Sequence, residues 1–433
     1  MFVLGRENGA SAATSTTPPA DGSDDPGAAR GGRGTGRDEA AGSGVEPPTA
    51  LLGRYRARDG SAGAPVGLDL DRPHAALVVG KRGYGKSYTL GVLAEAAARA
   101  RGVAPVVVDP MGALTGLATA GFPGRVVEPA VRADSVPPSA WPELVGLDPT
   151  DAAGALVWRA ADAADSVAAM RAHVADAPVD GPTRRAADNH LRLADAWGVF
   201  DAAGLAPPTL ADGAVTVVDC AGLGDAPTNA VVRAVARGLY DARVRAVEVA
   251  AGSGATDCAG GCADRGGWSD GTDGPLRRLP WLFVDEAHVA FDGVAAPALR
   301  TLLTRGRAPG ASLVAATQRP GALPGVAVSQ ADLLIAHRLT AESDVEALAA
   351  ATPTYLRGTL RERLPDAVGA ALVVDDVTES VHAVRVRERE TPHEGTSPRA
   401  SDIDVDGDAD RGPAAADARG GQPGGRSGSE TVE

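Results

Sequence analysis

Lysine is almost missing from this chain. Of the 42 basic residues among 433, only Lys81 and Lys86 are lysines, and both fall in one stretch, VVGKRGYGKSYTLG, between positions 78 and 91. Cysteine is also scarce: Cys220, Cys258 and Cys262 are odd in number and sparse, which argues against a disulfide framework. The C-x3-C spacing in DCAGGCAD reads either as a metal pair or as a surface loop. No second pair and no nearby His completes a four-ligand site, which favours the loop. Long apolar runs are lacking too. Nothing approaches the roughly 20 residues that span a bilayer, and the start, MFVLGRENGA, has neither a basic flank before a long apolar stretch nor a cleavage signature. The chain therefore reads as cytoplasmic, with no membrane partner.

The charge balance excludes less. A formal net charge of −14, with arginine in place of lysine, points to an acidic, salt-adapted, GC-rich background. An acidic protein is not an obvious nucleic-acid binder, but in concentrated salt the Debye length shrinks to roughly 3 Å. Local clusters of arginine then count for more than the total.

A length of 433 residues is a soft prior for two to three domain-sized units. Residues 8–48, and those from 390 to the end, are rich in Gly, Ser, Thr, Pro, Ala and Asp and hold almost no large apolar side chain. Both stretches are expected to be disordered, because they bury too little surface to offset chain entropy. A third such stretch, AGSGATDCAGGCADRGGWSDGTDG at 251–274, reads as an inserted flexible loop. MFVLG, LLGRYR and PVGLDL read as strands of a small leading sheet. From 66 to 388 apolar strands alternate with helices: ALVVG, a helix from Ser87 to Arg101, VAPVVVDP, AVTVVDC, a long amphipathic helix from Thr228 to Val249, LPWLFVDEAHVAF, ALRTLLTRGR, ASLVAATQRP, ADLLIAHRL, a helix from Glu342, AALVVDD and SVHAVRVRER. Continuous Val/Leu/Ile runs separated by helices predict a mainly parallel sheet covered on both faces. Residues 111–212 break this rhythm with an Ala/Asp-rich texture, read as a helical insertion with a short strand at GRVVEP. The expected organisation is a mostly disordered 1–50, leading strands and a phosphate-loop unit at 51–110, the helical insertion at 111–212, the rest of the core at 213–388 and a disordered tail at 389–433.

Gly80, Gly85, Lys86 and Ser87 satisfy G-x-x-x-x-G-K-[ST], with an apolar strand before and a helix after. Main-chain N–H groups from Gly80 to Tyr88, through Lys81, Arg82, Gly83, Tyr84 and Gly85, would curl round phosphate oxygens, aided by the helix N-terminus. Lys86 would reach the β and γ phosphates of ATP, and the Ser87 hydroxyl would ligate Mg²⁺. An ammonium is a compact charge on a thin stem, whereas a guanidinium is a wide planar fork. That explains why Lys86 stays lysine. Lys81 reads either as an exposed loop residue or as one facing a neighbouring subunit or DNA.

LFVDEAH puts Asp285 and Glu286 at the carboxyl end of a buried strand. Asp285 would hold Mg²⁺ and Glu286 would polarise the water that attacks the γ phosphate; the plain alternative is a pair of acids capping the next helix. His288 reads as local packing or a polar contact. Thr317 and Gln318 end another apolar strand, which places Gln318 to sense the γ phosphate or orient water. Arg300, Arg305 and Arg307 surround the end of the preceding helix. Each reads either as an arginine finger on a neighbouring subunit's nucleotide or as compensation for the helix C-terminus. Arg338 is a further finger candidate.

In this order, GKRGYGKSYTLG, LFVDEAH and ASLVAATQRPGALPGVAVSQADLLIAHRLT resemble the HerA/FtsK superfamily of hexameric DNA-pumping ATPases, and HerA most closely. The resemblance covers 66–388, with 111–212 matching least. It implies a RecA-like P-loop NTPase core and a homo-hexameric ring that translocates duplex DNA. Carried over by motif, Lys86 and Ser87 are the phosphate and Mg²⁺ residues, Asp285 and Glu286 the acidic pair, Gln318 the sensor, and Arg305 or Arg307 the finger. HerA proteins also work with a NurA nuclease through an N-terminal β-barrel. The stretch before Gly80 is short for a complete barrel, which weakens the expectation of that partner.

Overall fold

The computed structural model describes residues 1–6, 46–57, 59–251, 276–351 and 360–393. The loop expected at 251–274, with Cys258 and Cys262, falls almost wholly outside them. The strands are β1 (Phe2–Leu4), β2 (Thr49–Arg56), β3 (Ala62–Asp69), β4 (Ala75–Val79), β5 (Val103–Asp109), β6 (Gly124–Val127), β7 (Val215–Asp219), β8 (Leu279–Val284), β9 (Ser312–Thr317), β10 (Leu333–Ala336), β11 (Ala370–Asp375) and β12 (Ser380–Val386). They form one 12-stranded sheet in the order β1-β3-β2-β12-β11-β10-β4-β9-β8-β5-β7-β6.

The expected parallel sheet is the half of this order from β10 to β6, where every neighbouring pair is parallel. Its strands are apolar on both sides because both faces are covered. All of β4, β5 and β9 is buried. Alternation along the strands divides the core in two. Val78, Val107, Trp281 and Phe283 pack with Leu90, Leu93 and Ala97 of the helix Lys86–Arg99. Leu77, Val106, Leu282 and Ala315 pack with Val231, Val235 and Leu239 of the helix Asp225–Ala250 and with Leu299 and Leu302 of the helix Ala296–Arg305.

The three leading strands do not make a sheet of their own. β12 runs antiparallel to both β11 and β2, so it joins them to the core as a continuous extension. Between β6 and β7 the helices Ala152–Ala163, Val167–Asp176 and Gly181–Ala196 gather Trp141, Leu156, Val157, Met170, Val174 and Leu191 into a third apolar cluster. This cluster meets the main body at Ala230 and Val294.

Residues 389–393, expected in the tail, instead lie across the helix Lys86–Arg99. Their anchor is Glu95, fully buried on that helix. Its carboxylate accepts N–H bonds from Glu390 (3.0 Å) and Thr391 (2.9 Å) and the Thr391 hydroxyl (2.7 Å), and pairs with Arg387 at 2.8 Å. Burial opposes the charged form of Glu95, but these hydrogen bonds outweigh it and hold the acid below its usual range. No helix among the described residues is long and apolar enough to cross a membrane.

Candidate nucleotide site

Parallel strands bring their carboxyl ends to one edge, and the crevice there is where such sheets place ligands. β9 lies between β4 and β8. The loop after β4, the residues after β8 and the residues after β9 therefore stand side by side, although up to 240 residues separate them in the chain.

The loop 80–85 needs glycine at three points. Gly80, Gly83 and Gly85 have φ of 157°, 81° and 114°, a region costly for residues with a Cβ. A Cβ on Gly80 would also stand 2.6 Å from Cβ of His337. His337, just past β10, is fully buried behind the loop. Its Nδ1 faces the Ala370 carbonyl oxygen at 2.9 Å and its Nε2 faces Thr89 Oγ1 at 2.9 Å. The carbonyl can only accept, so Nδ1 carries the proton and the Thr89 hydroxyl donates to Nε2. Sequence reading did not single out His337; the only signal was a polar residue directly after an apolar strand.

Lys86 opens the helix Lys86–Arg99 and is buried, with no hydrogen bond or ion pair from its ammonium among the described residues. Burial pulls its pKa below the usual lysine range, while Glu286 and Asp285 oppose that shift. Ser87 Oγ donates to Asp285 Oδ2 at 2.5 Å, and Asp285 Oδ1 accepts the Glu286 N–H at 2.9 Å. Burial raises the Asp285 carboxyl, with the Ser87 hydrogen bond opposing. Two oxygen ligands of the hard-cation type thus already converge, beside a buried ammonium with no ion pair among the described residues. The residues present fit a magnesium-bound polyphosphate.

Glu286 takes φ 46° and ψ 41°, left-handed for a non-glycine residue. Strain of that kind gathers where a side chain must be aimed. Burial raises its carboxyl pKa, opposed by the Lys86 charge and by the nearby Gln318 main chain. His288 Nδ1 lies 3.4 Å from Glu286 Oε2 and 3.2 Å from Thr317 Oγ1. Arg319, exposed, donates its main-chain N–H to Thr317 Oγ1 at 3.0 Å.

The remaining predicted residues divide. Lys81, Arg82 and Gly83 are exposed on the loop; the Lys81 N–H donates to the Arg338 carbonyl at 2.7 Å. Tyr88 faces away from the loop: its hydroxyl accepts the Arg389 N–H at 2.6 Å and its ring meets His393 edge-on, so its side chain serves the C-terminal segment. Arg338 lies 5.5 Å over the Tyr84 ring of its own loop. Arg307 is held at the opposite edge of the sheet by Asp332, 2.8 Å away; Asp332 directly precedes β10 and also pairs with His74 at 2.8 Å. Arg305 ends its helix exposed, with no ion pair among the described residues. Arg300 lines a cavity with Arg233, Glu143 and Asp292.

No protein-family model and no curated protein matches the chain. Solved structures do. VirB4 of Thermoanaerobacter pseudethanolicus aligns over 80% of this chain and 99% of its own at 16% identity and TM-score 0.54. The plasmid coupling protein TrwB in complex with ADP and Mg²⁺ aligns over 81% and 97% at 15% identity and TM-score 0.48. The genome packaging NTPase B204 from Sulfolobus turreted icosahedral virus 2 in complex with AMPPCP aligns over 73% and 98% at 12% identity and TM-score 0.36. The likeness to VirB4 is one of fold: a P-loop core with a mainly parallel sheet.

Proposed function

We propose that the chain is an ATP-hydrolysing motor of HerA type that works as a homo-hexameric ring and couples hydrolysis to movement on duplex DNA. The observation that carries the reading is the convergence of Lys86, Ser87, Asp285, Glu286 and Gln318 on one edge of β4, β8 and β9. The order of the three motifs and the fold support the HerA assignment; no nuclease partner is part of it.

In this reading the main chain of 80–88 and the Lys86 ammonium hold the phosphates, while Ser87 and Asp285 hold the metal. Mg²⁺ held there would supply positive charge to offset the charge developing on the transferred phosphoryl group. Glu286 orients the attacking water and accepts its proton, a role its raised pKa suits. Gln318 lies beside it and senses the γ phosphate.

The test is ATP hydrolysis in high-potassium buffer with and without linear duplex DNA, with Glu286→Gln as control. DNA should stimulate the wild type, and the variant should lose at least ~100-fold in kcat while still binding MgATP, as expected for loss of a general base. A second reading, a nucleotide-dependent switch acting on a protein partner, draws on Trp158 and Leu193, which are half exposed on two helices of the 152–196 region. Hydrolysis indifferent to every form of DNA would favour the switch.

A further inference from the structure

We infer that His288 is a positioning residue that ties the Glu286 carboxylate to the tip of β9; the inference rests on Glu286 orienting the attacking water. Oε2 of Glu286 is buried without a hydrogen-bond partner, and a carboxylate oxygen can only accept. Among the described residues, the imidazole beside it is His288, whose Nδ1 faces both that oxygen at 3.4 Å and Thr317 Oγ1 at 3.2 Å. Burial, reinforced by Arg319, keeps this imidazole neutral, so one proton must serve. With the proton on Nδ1, the ring donates to Thr317 and is aimed at Oε2. With it on Nε2, the Nδ1 lone pair would be set against a carboxylate. The surroundings therefore select the Nδ1–H tautomer.

The distance to Oε2 is slightly longer than a hydrogen bond, as contacts of this kind often are before substrate draws them in. Glu286 is then joined to the end of β9 through His288 and the Thr317 side chain. Strained left-handed backbone at Glu286 gives the carboxylate a fixed origin, and this tie gives it a direction. His288 does not touch substrate. Its work is to keep Glu286 in register with the strand whose next residue is the sensor.

The experiment is steady-state hydrolysis against ATP concentration for wild type and for His288→Asn, His288→Gln and His288→Leu. Binding of a fluorescent ATP analogue and Tm are recorded in parallel. Asn carries an N–H near the position of Nδ1–H; Gln carries one nearer Nε2, and Leu carries none. The expected result is a kcat loss of about tenfold or more for Leu and Gln, a part of the roughly 10²–10⁴-fold that general-base catalysis contributes, with KM and analogue affinity within about threefold. Asn should recover most of the loss, and Thr317→Val should cost little when added to His288→Leu, because coupled residues are not additive. If Asn and Gln are equally impaired, or if kcat, KM and Tm fall together without rescue, the residue is structural and the inference is overturned. A wild type that hydrolyses ATP while all three variants match it overturns this inference alone. A wild type with no hydrolysis under any condition overturns the ATPase reading and takes this inference with it.

Discussion

At the scale of single residues, Lys86 shows why a chain that uses arginine elsewhere keeps lysine at one buried position. Its side chain is buried at the start of the helix that follows the loop, and burial already disfavours its charge. Lys86→Arg is expected to weaken MgATP binding at least ~10-fold, about 1.4 kcal/mol, because the fork is too wide for the cradle. Lys81→Arg is expected to leave affinity within about twofold, since only the main chain of Lys81 is used and its side chain is exposed. Titration with a fluorescent ATP analogue separates the two, and equal affinities for Lys86→Arg and wild type would refute the steric account. The convergence of Ser87, Asp285, Glu286 and Gln318 was legible in the sequence because Asp285, Glu286 and Gln318 directly follow apolar strands and Ser87 follows the glycine-rich loop after another. The places of Arg307 and Arg338 were not. A long arginine goes to whichever partner the strand order brings near, and Asp332 and Tyr84 became neighbours only through folding.

Elements add what no motif contains. β10 pairs in parallel with β4, which brings His337 directly behind the phosphate loop. Burial pushes its pKa down from 6.5 to about 4, while the hydrogen bond to Ala370 opposes. In the unfolded chain the ring titrates near its ordinary value. Between pH 6.5 and about 4 the unfolded state therefore binds a proton that the folded state refuses, and stability must fall as pH falls through that window. The full loss is about 3 kcal/mol, complete below the folded pKa. His337→Gln does not titrate and should lose this part of the slope. Denaturant unfolding of both proteins across the window checks it, and identical slopes would reject the account. Nothing in ADLLIAHRLT announces this role, since strand periodicity gives no hint of what lies over a strand's end. Glu95 was not singled out in the sequence, and its partners lie about 295 residues further on.

At the scale of the whole molecule, the sequence showed a parallel sheet but not its breadth. Period-two patterns identify β1, β2 and β3 as strands without saying which edge they join, and pairing of β2 with β12 links segments more than 300 residues apart. The same limit applies to assembly. A ring needs a group on one subunit to complete its neighbour's site, and the folded chain distinguishes the two helix-end arginines. Arg307 is held in place by Asp332 within its own subunit, whereas Arg305 stands exposed and unpaired among the described residues. In the proposed ring Arg305 is the better placed to reach outward. Arginine fingers contribute about 10³-fold or more in rate where they act. Mixing Arg305→Ala subunits with wild type should then depress hydrolysis below the wild-type fraction, while Arg307→Ala subunits should depress it in proportion. High potassium is needed for the measurement, because a net charge of −14 repels its own copies at low salt. Strict proportionality for Arg305 would mean that each subunit hydrolyses with its own residues, and the closed edge of β4, β8 and β9 would then be a complete site without a neighbour.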